Sequence, residues 1–249
     1  MNTDVQHIYG TRSVIEALRA GKNLDRILIQ KGLNNQLFHE LRKELQGKSL
    51  PYQIVPQEKL NKISSNKNHQ GVIATIAEVI YHKTEDLLPE LFESGKVPLI
   101  IVLDKVTDVR NFGAVARSAE CAGANMIIIP EQGAAPVNGD AIKTSAGALH
   151  RIPVCRERNL KETLEFLKSS GVQVVSCHEK TQKLIYDVNM VGPVAIIMGS
   201  EESGISSEYL KRSDEQVKIP MIGKISSLNV SVAAGIILFE AVRQRGNYK

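Results

Sequence analysis

Apolar and polar positions follow two periods along the first 76 residues. Residues 10–20 place Val14, Ile15 and Leu18 on one helical face, with Thr11 as a candidate N-cap and Gly21 as the stop. Residues 35–46 repeat that spacing with Leu37, Leu41 and Leu45, and a shorter helix is predicted near 57–63. Short β-type runs at 26–29, 52–55 and 72–76 separate them, and the polar stretch 64–71 reads as a loop. These elements predict a compact α/β unit. Residues 77–97, which hold the amphipathic segment 84–94, are expected to connect it to the remainder.

From residue 98 the rhythm changes. Short apolar runs at 98–103, 126–129, 152–154, 172–176, 194–198 and 216–219 alternate with helical patterns near 111–123, 160–170, 206–213 and 229–245. Uninterrupted runs such as Leu99-Ile100-Ile101-Val102-Leu103 suit parallel strands buried on both faces. The expected class is α/β, a parallel sheet with helices on both sides behind the small first unit. Leu228, Val232, Ile236, Phe239 and Val242 are expected to form the buried face of the last helix. The domain reading is 1–76, a linker over 77–97, and 98–249.

Charge sharpens this division. Residues 1–75 hold 11 Lys plus Arg and 6 Asp plus Glu, a balance of +5, whereas the other 174 hold 20 and 21. The basic excess therefore sits in the first unit, as expected of a polyanion-binding module beside a near-neutral one, although six charges is also a difference that chance produces. No apolar run approaches the roughly 18 residues that span a bilayer, and residues 1–4 lack the start of an export signal. Cys121, Cys155 and Cys177 stand far apart, which excludes a disulfide framework or a cysteine-built zinc site. They are expected to be buried thiols in a cytoplasmic protein.

Ligands of parallel α/β sheets bind beyond the carboxyl ends of the strands. Three such ends are rich in polar residues and glycine: 104–113 with Arg117 behind it, 199–204, and 220–229. No GxGxxG opens either unit. Gly199 and Gly204 have a P-loop spacing, but Ile205 stands where its Lys is needed and Glu201 and Glu202 would repel phosphate, which argues against NTP hydrolysis. The six histidines have no ligand spacing, so no metal is expected, and no GxSxG supports a serine hydrolase.

At these strand ends the sequence resembles the SpoU (TrmH) family of RNA 2′-O-methyltransferases. Residues 104–113 with Arg117-Ser118-Ala119 resemble its first motif, 197–205 its second, and Ile219-Pro220-Met221 with 227–233 its third. Tyr9-Gly10, 69–74 and 143–148 are similar to the branch that methylates a guanosine of large-subunit rRNA and carries a ribosomal-protein-like (L30e-type) RNA-binding domain ahead of the catalytic one. The resemblance implies a C-terminal domain with a deep trefoil knot, S-adenosylmethionine held by Met198, Gly199, Ile219, Met221 and Leu228, and a homodimer with its site near the subunit interface. A tRNA-modifying relative and a catalytically silent RNA-binding protein of the same fold are the alternatives.

By the same resemblance Arg117 is the catalytic centre, and Asn111, Glu201, Ser227 and Asn229 belong to the site. Local readings stand beside these roles. Asn111, Ser227 and Asn229 each precede a helix and could cap it, and Glu201 could serve structure alone. An arginine is always protonated, so Arg117 is expected to grip a phosphate and stabilise the developing alkoxide rather than accept a proton. Arg12, Arg19, Lys22, Arg42, Lys43, Lys62 and Lys67 are candidates for phosphate contact, and His69 for an RNA contact or a turn.

Overall fold

The computed structural model describes residues 6–46 and 50–246; the expectation about residues 1–4 lies outside them. The chain forms two units, Met1–Ile80 with Val137–Gly139, and Tyr81–Pro136 with Asp140–Lys249.

The first unit contains β1 (His7–Tyr9), α1 (Thr11–Arg19), β2 (Leu24–Gln30), α2 (Gln36–Leu45), β3 (Tyr52–Val55), α3 (Gln57–Ser64) and β4 (Val72–Ile76). Its sheet has the order β1-β4-β2-β3, antiparallel except for the parallel pair β2–β3. The two-residue alternation of β2 splits its side chains between two cores. Ile27 and Ile29 pack with Val14, Ile15, Leu18 and Leu41 of α1 and α2, whereas Leu28 faces Leu60 of α3 on the other side.

The second unit contains β5 (Tyr81–His82), α4 (Thr84–Glu93), β6 (Leu99–Asp104), α5 (Val109–Cys121), β7 (Met126–Pro130), α6 (Gly139–Thr144), β8 (Val154–Glu157), α7 (Leu160–Ser169), β9 (Gln173–Cys177), β10 (Val194–Gly199), α8 (Ser207–Leu210), β11 (Glu215–Val217) and α9 (Val230–Arg245). All seven strands run parallel in the order β11-β9-β10-β6-β7-β8-β5. The central strands β6 and β10 are buried along nearly their whole length, as their unbroken apolar runs require.

Four expectations change. Residues 77–97 do not merely connect the units: β5 pairs with β8, and the Thr84 amide and hydroxyl both donate to the buried Glu157 carboxylate, which docks α4 on the second sheet. The apolar stripe expected to bury α9 is not fully buried at any position, with Leu228, Ile236 and Val242 only partly covered. The buried residues of α9 include Val230, Ala234, Ile237, Leu238 and Ala241, while Val232 and Phe239 are each 50% exposed. The helix is apolar around its whole circumference, so periodicity could not choose the face; Gly235 does, by lying against Ser118 of α5. The run at 152–154 is displaced to β8, and the strand expected at 216–219 closes earlier, as β11. Cys121 is exposed rather than buried; burial pushes the Cys155 and Cys177 thiols up to about 12.

The far end of α9 is fastened to the amino edge of the sheet. The Arg245 guanidinium donates to the carbonyls of Met190, Val97, Pro98 and Gly192 at 2.8–3.1 Å. Arg245→Ala leaves these acceptors without their charged donor and is expected to cost about 2–4 kcal/mol, lowering Tm by roughly 5–12 °C for a unit of this size. A melting temperature within about 2 °C of the parent would show that water replaces the guanidinium freely.

Candidate functional site

The carboxyl ends of β6, β9 and β10 lie side by side, Gly199 paired with Asp104 and Met198 with Cys177. From this centre the sheet grows in opposite directions, toward β7 on one side and β11 on the other, which leaves a crevice for a ligand. A Cβ on Gly199 would sit 2.2 Å from the Gly204 carbonyl carbon and 2.3 Å from the Ile205 amide nitrogen. The loop after β10 therefore folds back across its own strand end, in space that only glycine leaves. The Gly204 amide donating to the Ser200 carbonyl closes that turn, and the buried Asp104 carboxylate receives the Ser206 amide at 2.7 Å.

Three separated segments meet beside this loop. Asp108 caps α5 by accepting the Asn111 amide at 2.7 Å, so the cap expected of Asn111 is supplied from three residues earlier. Asn111 is thereby free to donate its side-chain amide to Glu201 Oε1 at 3.2 Å. Asn229 donates to the same oxygen and, at 3.0 Å, to Asn111 Oδ1, while the Val230 amide points at Glu201 as well. Asn229 also caps α9, its Oδ1 receiving the Ser231 amide. Asn229 thus caps the helix with its side-chain oxygen and joins the network with its side-chain nitrogen.

A cavity of about 390 Å³ opens against this network. Met198, Gly199, Ile219, Met221 and Leu228 all line it, with Glu201 and Ser227. So do Cys177, His178, Glu179 and Lys180 at the end of β9, a fourth strand end that the motifs did not mark. The signal was present, since β9 is another apolar run followed by polar residues. Glu179, Glu201 and Glu202 outnumber the single cation Lys180 among the lining residues, which suits a ligand carrying positive charge between apolar walls. A second hollow of about 330 Å³, lined by Lys105, Asp108, Asn111 and Glu201 among others, shares the 200–203 loop with the first.

Arg117 lines neither hollow. It stands exposed on α5, six residues beyond Asn111, and makes no hydrogen bond or ion pair among the described residues. One turn before it, Gly113 lets α5 press against α6: a Cβ there would lie 2.7 Å from the Ala141 carbonyl oxygen.

In the first unit Arg12, Lys22, Arg42, Lys43, Lys62 and Lys67 are exposed, and the Lys67 ammonium sits 5.6 Å from the centroid of the Tyr9 ring. Arg19 differs, because its guanidinium is held by Glu40 at 2.7 Å and Glu44 at 2.9 Å. His69 is buried; Nδ1 accepts the Gly71 amide, which leaves Nε2 to donate to Asn61 Oδ1, so it braces the turn into β4. Among the described residues no cluster of three His, Cys, Asp or Glu could hold a metal ion, and no helix is long and apolar enough to cross a membrane.

Comparison with known proteins places both units. Residues 98–239 match the SpoU rRNA Methylase family, and residues 7–82 match the family of RNA 2′-O ribose methyltransferase substrate-binding domains. The chain is 37% identical over 240 residues to the 23S rRNA (guanosine-2′-O-)-methyltransferase RlmB of Yersinia pestis, covering 96% of this chain and 97% of that protein. It is 36% identical over 239 residues to RlmB of Escherichia coli strain K12, with 96% and 98% covered. Among solved structures, the AdoMet-bound rRNA methyltransferase from Sinorhizobium meliloti is 25% identical with a TM-score of 0.59, covering 95% of this chain and 86% of that one.

Proposed function

The chain belongs to the SpoU rRNA methylase family, and from that premise we propose that it transfers a methyl group from S-adenosylmethionine to the ribose 2′-hydroxyl of a guanosine in large-subunit rRNA. The observation that carries this reading is the convergence of three motifs on one carboxylate oxygen, Glu201 Oε1, beside a cavity lined by apolar residues and three glutamates.

When bound, the donor supplies a sulfonium-activated methyl group, and its positive charge matches Glu179, Glu201 and Glu202 on the cavity wall. Met198, Ile219 and Leu228 would enclose its apolar parts, and Gly199 admits close backbone approach. The chain's own residues position the acceptor. Asn111, Glu201 and Asn229 lock the loops around the reacting atoms, so attack proceeds along one line. The Arg117 guanidinium is available to hold the RNA phosphate bidentately and to stabilise negative charge on the 2′-oxygen as the oxygen bonds the methyl group and its proton passes to solvent water.

The first unit captures RNA in this reading. Its exposed lysines and arginines carry the basic excess, with Arg19 discounted for its two carboxylate partners. Its four-stranded sheet with helices on both faces supports the ribosomal-protein-like description. A homodimer is proposed as well: Val232 and Phe239 on α9, Ile222 at 99% exposure and Ile225 at 76% form apolar surface that a second copy would cover. The return of residues 204–205 over Gly199, and of residue 218 beside 183–185, supports a knotted path. A cytoplasmic setting suits three free cysteines and an rRNA substrate.

Incubation with labelled S-adenosylmethionine and unmodified large-subunit rRNA should place label at a guanosine 2′-oxygen. Donor binding without transfer to that RNA, but with transfer to tRNA, would shift the assignment to the tRNA-modifying alternative. Absence of donor binding would leave an RNA-binding protein.

A further inference from the structure

We propose that Lys105 is a substrate-binding residue whose ammonium grips a phosphate of the RNA strand beside the target ribose, and whose strained backbone is retained for that contact. The inference rests on the reading above, in which this site methylates RNA.

Lys105 has φ +56°, a left-handed conformation that side chains with a Cβ rarely adopt. Asparagine and aspartate tolerate it through local hydrogen bonds, and glycine adopts it without steric conflict; lysine has neither advantage. Its neighbours fix the turn. Asp104 is buried and bound to the Ser206 amide, and Val106 is buried with its carbonyl receiving the Ala135 amide. The chain between these two anchors must turn through the left-handed region, so the fold alone would favour glycine there.

The lysine side chain is exposed and makes no hydrogen bond or ion pair among the described residues. It lines the hollow that also holds Asn111 and Glu201. The other charged residues of that lining, Asp108, Glu201 and Glu202, are acidic and would repel a phosphodiester strand. Lys105 is the one cation in that lining, in the same hollow as Asn111. A non-glycine residue held in a strained backbone region beside a candidate site is an observation that points to function.

Three variants of the full chain separate charge from strain: Lys105→Gly removes both, Lys105→Met removes the charge alone, and Lys105→Arg keeps both. With an unmodified large-subunit rRNA transcript, the Gly and Met variants should each raise KM for RNA about fivefold, the scale of one exposed charge contact. They should also reduce the slope of log affinity against log salt by about 1. Donor affinity, read by calorimetry, should stay at the parent value, Lys105→Arg should keep the parent KM, and Lys105→Gly should melt above Lys105→Met. Parent-like KM and salt slope in both neutral variants would overturn the role of Lys105 while leaving methylation standing. Equal losses of donor and RNA affinity would also overturn it, as general damage to the site. A parent protein that methylates no RNA would overturn the reading of the site and the role of Lys105 with it.

Discussion

Arg117→Ala should abolish methyl transfer, by about three orders of magnitude, while leaving S-adenosylmethionine affinity unchanged. The structure leaves the guanidinium uncommitted: Asn111, Glu201 and Asn229 hold one another, whereas Arg117 is exposed and makes no hydrogen bond or ion pair among the described residues. A charged group exposed in this way contributes little to folding, so the variant should melt with the parent protein. Because Arg117 lies outside the cavity proposed for the donor, calorimetric titration with S-adenosylmethionine should give the parent affinity. The loss belongs to the chemical step, where charge on the 2′-oxygen is greatest, and single-turnover transfer of labelled methyl will report it. Transfer near the parental rate would show that the developing charge is stabilised elsewhere and that Arg117 is a surface residue of α5.

Gly199→Ala should cost more of the molecule. Its added Cβ would meet the Gly204 carbonyl carbon at 2.2 Å and the Ile205 amide nitrogen at 2.3 Å, both backbone atoms that cannot swing aside as a side chain would. The loop must open, and with it the cavity wall and the Asp104–Ser206 bond that fixes its exit. A destabilisation of about 4 kcal/mol is expected, at the upper end for a single substitution, with donor affinity reduced about a hundredfold or more, equivalent to losing two good contacts. Gly204→Ala is the informative control. Gly204 has φ +63° but open space around its Cβ position, so that variant should carry only left-handed strain of about 1–2 kcal/mol. If Gly199→Ala melts with the parent and binds donor normally, the close crossing of these two chain segments is not what shapes the site.

Local patterns carried the fold a long way. The spacing of Leu37, Leu41 and Leu45 marks α2, and the unbroken run 99–103 marks β6 as a doubly covered strand. The same reasoning failed on α9, where both sides of the helix are apolar and only its packing on α5 chooses between Ala234 and Val232. It also overlooked β5 and α6, elements of two and six residues, too short to display a period. In the site, the motifs pick out Asn111, Glu201 and Asn229 as residues but not as a network. Their bonds join positions 28, 90 and 118 residues apart, and no local rule links such distances. His69 shows the opposite case. An exposed-looking polar loop hides a histidine whose two ring nitrogens are both used inside the turn.

The attachment at the end of α9 has a mechanical consequence. The helix carries Asn229 at its first turn and Arg245 at its last, about 24 Å apart at 1.5 Å per residue. A hydrogen-bonded helix is stiff along its axis, so the side-chain amide that joins Asn111 to Glu201 is held in register from the opposite edge of the sheet. Loosening the Arg245 buckle would let the rod slide and blur the placement of Asn229 well below the melting point. Thermal durability and the alignment of the Asn111–Glu201–Asn229 network are thus two readings of a single strut, and a change to either one will move the other.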